Sequence, residues 1–283
     1  MNKELIVDNK AGMVLPIVDG MYISNEGSVQ PNVLLRTAVF TPVAKSKINK
    51  CTSQDLTNEL RTLEVCKKEG YDLVVLQGEK LNIETDFKVW CGVVLAFSKY
   101  GLNDNKITLK FTEFSKMCGF PTKRIDKPLR TRISLSLKRI QSQQLTLKCK
   151  DETKASYTGL LHKAFFDSSI DQVVLIADET LWDLYRIDRQ VLISLKVLGK
   201  LPRAEIAQCL YLFFISLPQK PHPVSFKRLR ERLCLSTSTK EANRSIKLGI
   251  EKLEGIGFIS GSFVRKDSET YYLIDKRCKK LPN

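Results

Sequence analysis

Histidine is almost missing from this chain: 2 residues in 283, His162 and His222, set 60 positions apart. That scarcity excludes the His-hydrophobe-His metal site with which a nicking enzyme polarises a scissile phosphate. It also leaves no evident general base, and Gly-x-Ser-x-Gly is absent as well. Cysteine occurs 8 times, but the nearest two are 15 positions apart and no Cys-x-x-Cys exists, so a closed zinc site is not expected. We expect reduced thiols, mostly buried. No GxxxxGK[ST] is present, because Glu79 and Lys80 after Gly78 do not complete a phosphate loop. Long apolar runs are lacking too. The stretch around Tyr211 to Leu217 falls far short of the roughly 20 residues that span a bilayer. The acid pairs Glu84 with Asp86 and Asp151 with Glu152 sit at predicted element ends, where solvated carboxylates are routine. These absences predict no enzyme, no cofactor, no metal and no membrane partner.

The opening MNKELIVDNK mixes acids and bases before any apolar stretch, unlike a secretory leader, so a cytoplasmic protein is expected. His222 lies between Pro221 and Pro223 and reads as part of an exposed connection.

What the chain has in excess is positive charge. Lys and Arg number 46 against 31 Asp and Glu, a net +15, which suggests a polyanionic partner. Residues 1–100 hold 12 bases and 12 acids, residues 101–168 hold 14 and 6, and residues 169–283 hold 20 and 13. The excess therefore lies beyond position 100. It is interleaved with Leu, Ile and Phe, so it decorates folded elements and is not a basic tail. A hydrophobic share of 43% and a charged share of 27% fit a globular chain of one large or two modest domains.

Residues 1–27 show no sustained period and read as an arm. Ser53 is placed to cap a helix from Gln54 to about Lys68, ending at Gly70. Residues 72–77 read as a strand. A helix from Thr85 to Tyr100 carries Phe87, Trp90, Val94 and Phe97, with Trp90 in the core. Ile107 to Lys110 reads as a strand and Phe111 to Cys118 as a short helix, broken at Gly119-Phe120-Pro121. A longer helix runs from Lys127 to about Gln143, with Pro128 in its first turn and Leu129, Ile133, Leu137 and Ile140 on one face. Lys127, Arg130, Ser134 and Lys138 flank that face. Leu145 to Lys150, Tyr157 to Phe166 and Gln172 to Ile176 read as strands.

The same order returns about 115 residues later. Residues 202–217 read as a buried helix before a Pro-rich break. Phe226, Leu229, Leu233 and Leu235 then take the places of Phe111, Phe114, Cys118 and Phe120, with Ser225 as N-cap. The next helix, Thr239 to Gly255, sets Ala242, Ile246, Ile250 and Leu253 on one face, with Lys240, Asn243, Arg244 and Lys247 alongside. Residues 257–264 and 269–275 close it as a hairpin. The expected fold is α+β: two tandem winged helix-turn-helix domains related by an internal repeat, with an arm at 1–28, one domain at 29–190 and the other at 191–283. A basic stripe beside the core face is what lays a helix in a major groove. Asn243 and Arg244 are the expected base readers. Lys227, Arg228, Arg230 and Arg232 are expected on phosphates, and the list of expected DNA contacts is completed by Arg265 and Lys266 on the hairpin.

Several runs carry a family resemblance: Val29-Gln30-Pro31, Asp86-Phe87-Lys88-Val89-Trp90, Arg132 through Ile140, Asp188-Arg189-Gln190-Val191-Leu192, Ser216-Leu217-Pro218 and Leu229-Arg230-Glu231-Arg232-Leu233. In these the chain resembles the RepA replication initiators of RepFIB-type plasmids, tandem winged-helix proteins. The resemblance covers nearly everything from residue 29, and the chain stops at Asn283 where such proteins have a longer tail. It implies binding of repeated origin sites, the iterons, by monomers. It further implies dimers that repress the protein's own gene, plasmid copy control, and recruitment of host initiator and helicase proteins. A winged-helix transcriptional repressor without origin function is the competing reading; a nuclease or primase would show metal-dependent cleavage or synthesis.

Overall fold

We describe residues 23–42, 51–55, 71–100, 105–121, 125–149, 151, 153–167, 169–178, 182, 185 and 188–278 of a computed structural model. Helices and runs of strands are mixed along the described residues, an α+β arrangement. Its core is built twice on one plan. In the first unit, helix α2 (Asp86–Tyr100) precedes strand β6 (Lys106–Lys110), helix α3 (Phe111–Met117) and helix α4 (Lys127–Gln141). The hairpin β9 (Lys163–Asp167) and β10 (Gln172–Ile176) follows, and β10 returns to pair antiparallel with β6, Val174 opposite Thr108. In the second unit, α6 (Glu205–Ser216), β12 (Val224–Ser225), α7 (Phe226–Leu233) and α8 (Thr239–Gly255) come in the same order. Strands β13 (Ile259–Lys266) and β14 (Glu269–Arg277) close it, and β14 again pairs with the strand before the helices, Val224 opposite Tyr272. The strand order is 6-10-9 in one sheet and 12-14-13 in the other, the same topology.

The periodic apolar residues make this core. Phe111, Phe114, Ile133, Leu137 and Ile140 are buried in the first unit, and Phe226, Leu229, Ile246, Ile250 and Leu253 in the second. Even the turn between the helices repeats. Phe120 N–H donates to Ser115 O and Leu235 N–H to Arg230 O, the same closing bond 115 residues on. The left-handed residue that this closure requires is Gly119 in one unit and Cys234, φ 49°, in the other. Pro128 does sit in the first turn of α4, and Ser225 does cap α7 by accepting from Arg228 N–H at 3.2 Å.

Three expectations need correction. Ser53 to Asp55 belong to a strand, β3 (Cys51–Asp55), which pairs with β4 (Leu73–Glu79); that pairing overrides the local helix signal. The rest of the expected helix, and Gly70, fall outside the described residues, as does most of the arm. The single strand expected at 157–166 is two, because β8 (Ala155–Gly159) and β9 belong to different sheets and buried Leu160 and Leu161 cross between them. The hairpin of β7 (Gln144–Lys148) and β8 is thus an insertion between α4 and β9 that completes the four-stranded sheet 3-4-7-8, and the second unit has no counterpart of it. Finally, Asp86 is not solvated. It is fully buried, and its carboxylate accepts from the Arg139 guanidinium at 2.7 and 3.0 Å and from Asn82 N–H at 2.7 Å.

The segment before the first unit touches both. Strand β1 (Gly27–Pro31) pairs antiparallel with β11 (Gln190–Ser194), and α1 (Asn32–Arg36) leads to β2 (Phe40–Thr41), which lies beside α6. Trp90 is fully buried, and its indole N–H donates to Gln30 Oε1 at 2.9 Å. Cys91, Cys118 and Cys209 are free and buried, whereas Cys149, Cys234 and Cys278 are half-exposed. Burial pushes the Cys91 thiol up to about 12, so it stays protonated and inert.

Candidate nucleic-acid interface

Helix α8 is held by its buried stripe and by one close approach. A Cβ on Gly249 would lie 2.9 Å from Ile206 and Leu210 of α6, so glycine there lets the two helices meet. Ser238 caps the helix by accepting from Glu241 N–H. The face turned away carries Lys240, Arg244, Lys247 and Leu248, all exposed. Lys247 Nζ stands 5.6 Å from the centre of the Phe263 ring on β13 and 4.0 Å from Glu251. Beyond Phe263, Arg265 and Lys266 are exposed at the end of the hairpin, where Asp267 and Ser268 make a two-residue turn with both φ positive, 48° and 64°.

The other predicted residues of this unit divide. Lys227 is exposed on the first turn of α7, and its backbone N–H donates to the Glu269 carboxylate at 3.2 Å. Arg228 is half-exposed, its guanidinium 5.3 Å from the Phe213 ring centre. Arg230 is engaged within the protein: it donates to Asn243 Oδ1 and pairs with Glu269 at 3.3 Å, joining α7, α8 and β14. Asn243 is therefore half-buried with its oxygen in use. Arg232 overturns its expectation outright. It is only 3% exposed, and its guanidinium donates to Leu35 O at 2.9 and 3.1 Å and to Phe40 O at 3.2 Å. It faces inward because α7 turns Leu229, Arg232 and Leu233 to one side, spacings of three and four that no charge pattern distinguishes from an outward row.

In the first unit Asp126 caps α4 by accepting from Leu129 N–H at 3.0 Å. Lys127 and Lys138 are exposed and Ser134 is half-buried. Arg130 lies against Asp171 at 2.6 Å and over the Phe111 ring at 4.6 Å. Asp171 belongs to the turn of the β9–β10 hairpin, so the hairpin takes up the Arg130 side of the helix. The open face is consequently further round and also presents Thr131, Arg132 and Leu135, which the stripe had left out. Arg132 was visible in the sequence only as part of a run; the insertion of a hairpin against one flank gave no local signal.

Both α4 and α8 thus present a cation-bearing face; α4 has no acid within its limits, and on α8 Glu251 stands beside Lys247 while Glu254 accepts from Tyr272 Oη. Among the described residues, no three His, Cys, Asp or Glu side chains gather as a metal site would. No helix among them is long and apolar enough to cross a membrane. His222 is exposed before β12.

Known proteins resemble the chain over most of its length. It is 44% identical to Protein RepA of Escherichia coli across 92% of this chain and 90% of that protein. It is 37% identical to RepFIB replication protein A of Salmonella typhi across 91% of this chain and 81% of that protein. A solved structure of domains 2 and 3 of RctB superposes with a TM-score of 0.55 at 13% identity, over 89% of this chain and 99% of that one, a likeness of fold. No family model matches.

Proposed function

From the premise that the chain belongs to the RepA family of replication proteins, we propose that it is a plasmid replication initiator working as a non-catalytic, sequence-specific binder of double-stranded DNA. Its two repeated units are read as tandem winged helix-turn-helix domains, at 29–190 and 191–283, with α4 and α8 entering major grooves and the two hairpins as wings. The observation that carries the reading is the repetition: one topology occurs twice, each time turning the cation-bearing last helix before the hairpin, α4 or α8, to solvent. Lys127, Arg132 and Lys138 supply the first face; Lys240, Arg244, Lys247, Lys227, Arg265 and Lys266 supply the second. Phosphate contacts give affinity and Arg244 reads a base edge. As the family resemblance implies, monomers bind iterons, dimers repress the gene, and host initiator and helicase proteins are recruited in the cytoplasm.

Footprinting on the DNA flanking the gene tests this, at about 150 mM salt with non-specific competitor so that bulk electrostatics cannot imitate specificity. Regularly spaced protected repeats are expected. A single protected palindrome would make the protein a repressor, and no protection would sink the DNA-binding reading.

A further inference from the structure

Leu135 and Leu248 are each 49% exposed, on the outer faces of α4 and α8. They are 113 positions apart, the displacement that also relates buried Leu129, Ile133 and Ile140 to Ala242, Ile246 and Leu253, and exposed Lys127 to Lys240. In helical projection each leucine lies about 80° from its lysine and about 160° from the buried isoleucine, near the crest of the open face. A single exposed leucine needs no explanation. Here the same side chain recurs at the same register with the same exposure, although its neighbours on the two faces differ. Thr131 stands where Arg244 does, Arg132 where Ser245 does, and Lys138 where Glu251 does. Core packing does not ask for these leucines, since neither is in the core.

We propose that Leu135 and Leu248 are specificity-determining residues, each placed to contact the 5-methyl group of a thymine in the major groove. This rests on the DNA-binding reading above. The thymine 5-methyl is the one methyl group of the four bases on the floor of the major groove, and a branched apolar tip at the crest of an inserted helix is its complement. The surroundings favour DNA over an apolar protein partner: Lys127, Arg132 and Lys138 stand around Leu135, and Lys240, Arg244 and Lys247 around Leu248. Each unit would then read one thymine by shape while its cations hold the backbone.

The test uses the full chain and the fragment flanking its gene, synthesised with thymidine, with deoxyuridine throughout, and with single thymidine-to-deoxyuridine exchanges. Removing a contacted methyl should weaken binding about fourfold, the equivalent of about 0.8 kcal/mol for one buried carbon. Leu248→Ala should weaken binding to the thymidine fragment similarly and abolish the response at one set of positions, and Leu135→Ala should do so at another. Both variants keep a strong helix former at an exposed site, so circular dichroism and melting should match the parent. Equal binding of the thymidine and deoxyuridine fragments would overturn the proposal, as would alanine variants that keep the full response. A change in self-association without a change in the uracil response would assign the leucines to a protein contact instead. Binding to neither fragment would overturn the DNA-binding reading itself.

Discussion

Replacing Arg232 by alanine separates two accounts of the same residue. The run Lys227, Arg228, Arg230, Arg232 reads in sequence as a row of phosphate ligands, but the structure commits Arg232 to Leu35 O and Phe40 O. Truncation removes three charge-assisted bonds and leaves two buried carbonyls without this donor. Each buried acceptor left unmatched costs about 1 to 3 kcal/mol, partly offset because the guanidinium no longer has to be stripped of water. The net expectation is a loss of about 2 to 4 kcal/mol, a large share of a stability on the order of 5 to 15 kcal/mol. Urea unfolding followed by the buried Trp90 and Trp182 would show it as a lowered midpoint. Arg232→Lys should fall in between, since one ammonium cannot reproduce a planar fork aimed at two carbonyls. Under conditions where the alanine variant is folded, the dependence of DNA binding on salt should match the parent, whereas Lys227→Ala should flatten the slope by about 0.9. Unchanged stability together with a flattened slope for Arg232→Ala would refute the inward placement and restore the phosphate role.

Asp86→Ala strands the Arg139 guanidinium in the core and should cost about 3 to 5 kcal/mol by urea titration; a change below 1 kcal/mol would mean that the pair is not buried as described. Cys234→Gly relieves a left-handed residue at the position where the first unit has Gly119, and should raise stability by about 1 kcal/mol, or a melting temperature by about 2 to 4 °C. A lower melting point would show that the cysteine side chain does more there than tolerate the turn. Arg244→Ala should lose about 1 to 3 kcal/mol of binding and relax discrimination at one base pair, while Lys227→Ala weakens all sequences alike; identical base preferences in the two variants would end that division.

The repeat was legible because its core residues are periodic. The helix expected at Thr239 to Gly255 has those limits, and the strand at Gln172 to Ile176 is unchanged. What sequence could not show is non-local. Ser53 to Asp55 become strand only because Val75 to Gln77 lie alongside, and Arg130 leaves the open face only because Asp171 arrives from a turn 41 positions later. The pair-wise fate of Arg230 is of the same kind, since Glu269 reaches it from the far strand of the hairpin. Charge at a given spacing identifies a side of a helix, but whether that side meets solvent depends on which element covers it.

The runs that carry the family resemblance turn out to be largely fasteners. Gln30 accepts from Trp90 Nε1 and, at 3.3 Å, from Tyr185 Oη. Asp86 holds Arg139, and Asp188 Oδ2 accepts from Val33 N–H at 2.6 Å at the start of α1. Gln190 Nε2 donates to Tyr185 O, and Arg232 reaches across to Leu35 and Phe40. Each is a polar side chain, buried and satisfied by partners distant in the chain or across a turn. Such a group tolerates few replacements, because any change leaves a buried donor or acceptor unmatched. The exposed faces of α4 and α8 are under no such constraint. Resemblance therefore reports the frame at Asp86, Asp188 and Arg232, and in the run from Arg132 to Ile140 it also takes in the open face of α4; on the DNA-binding reading proposed above, Arg244 and Leu248, which lie outside those runs, can set which DNA is preferred without loosening the frame.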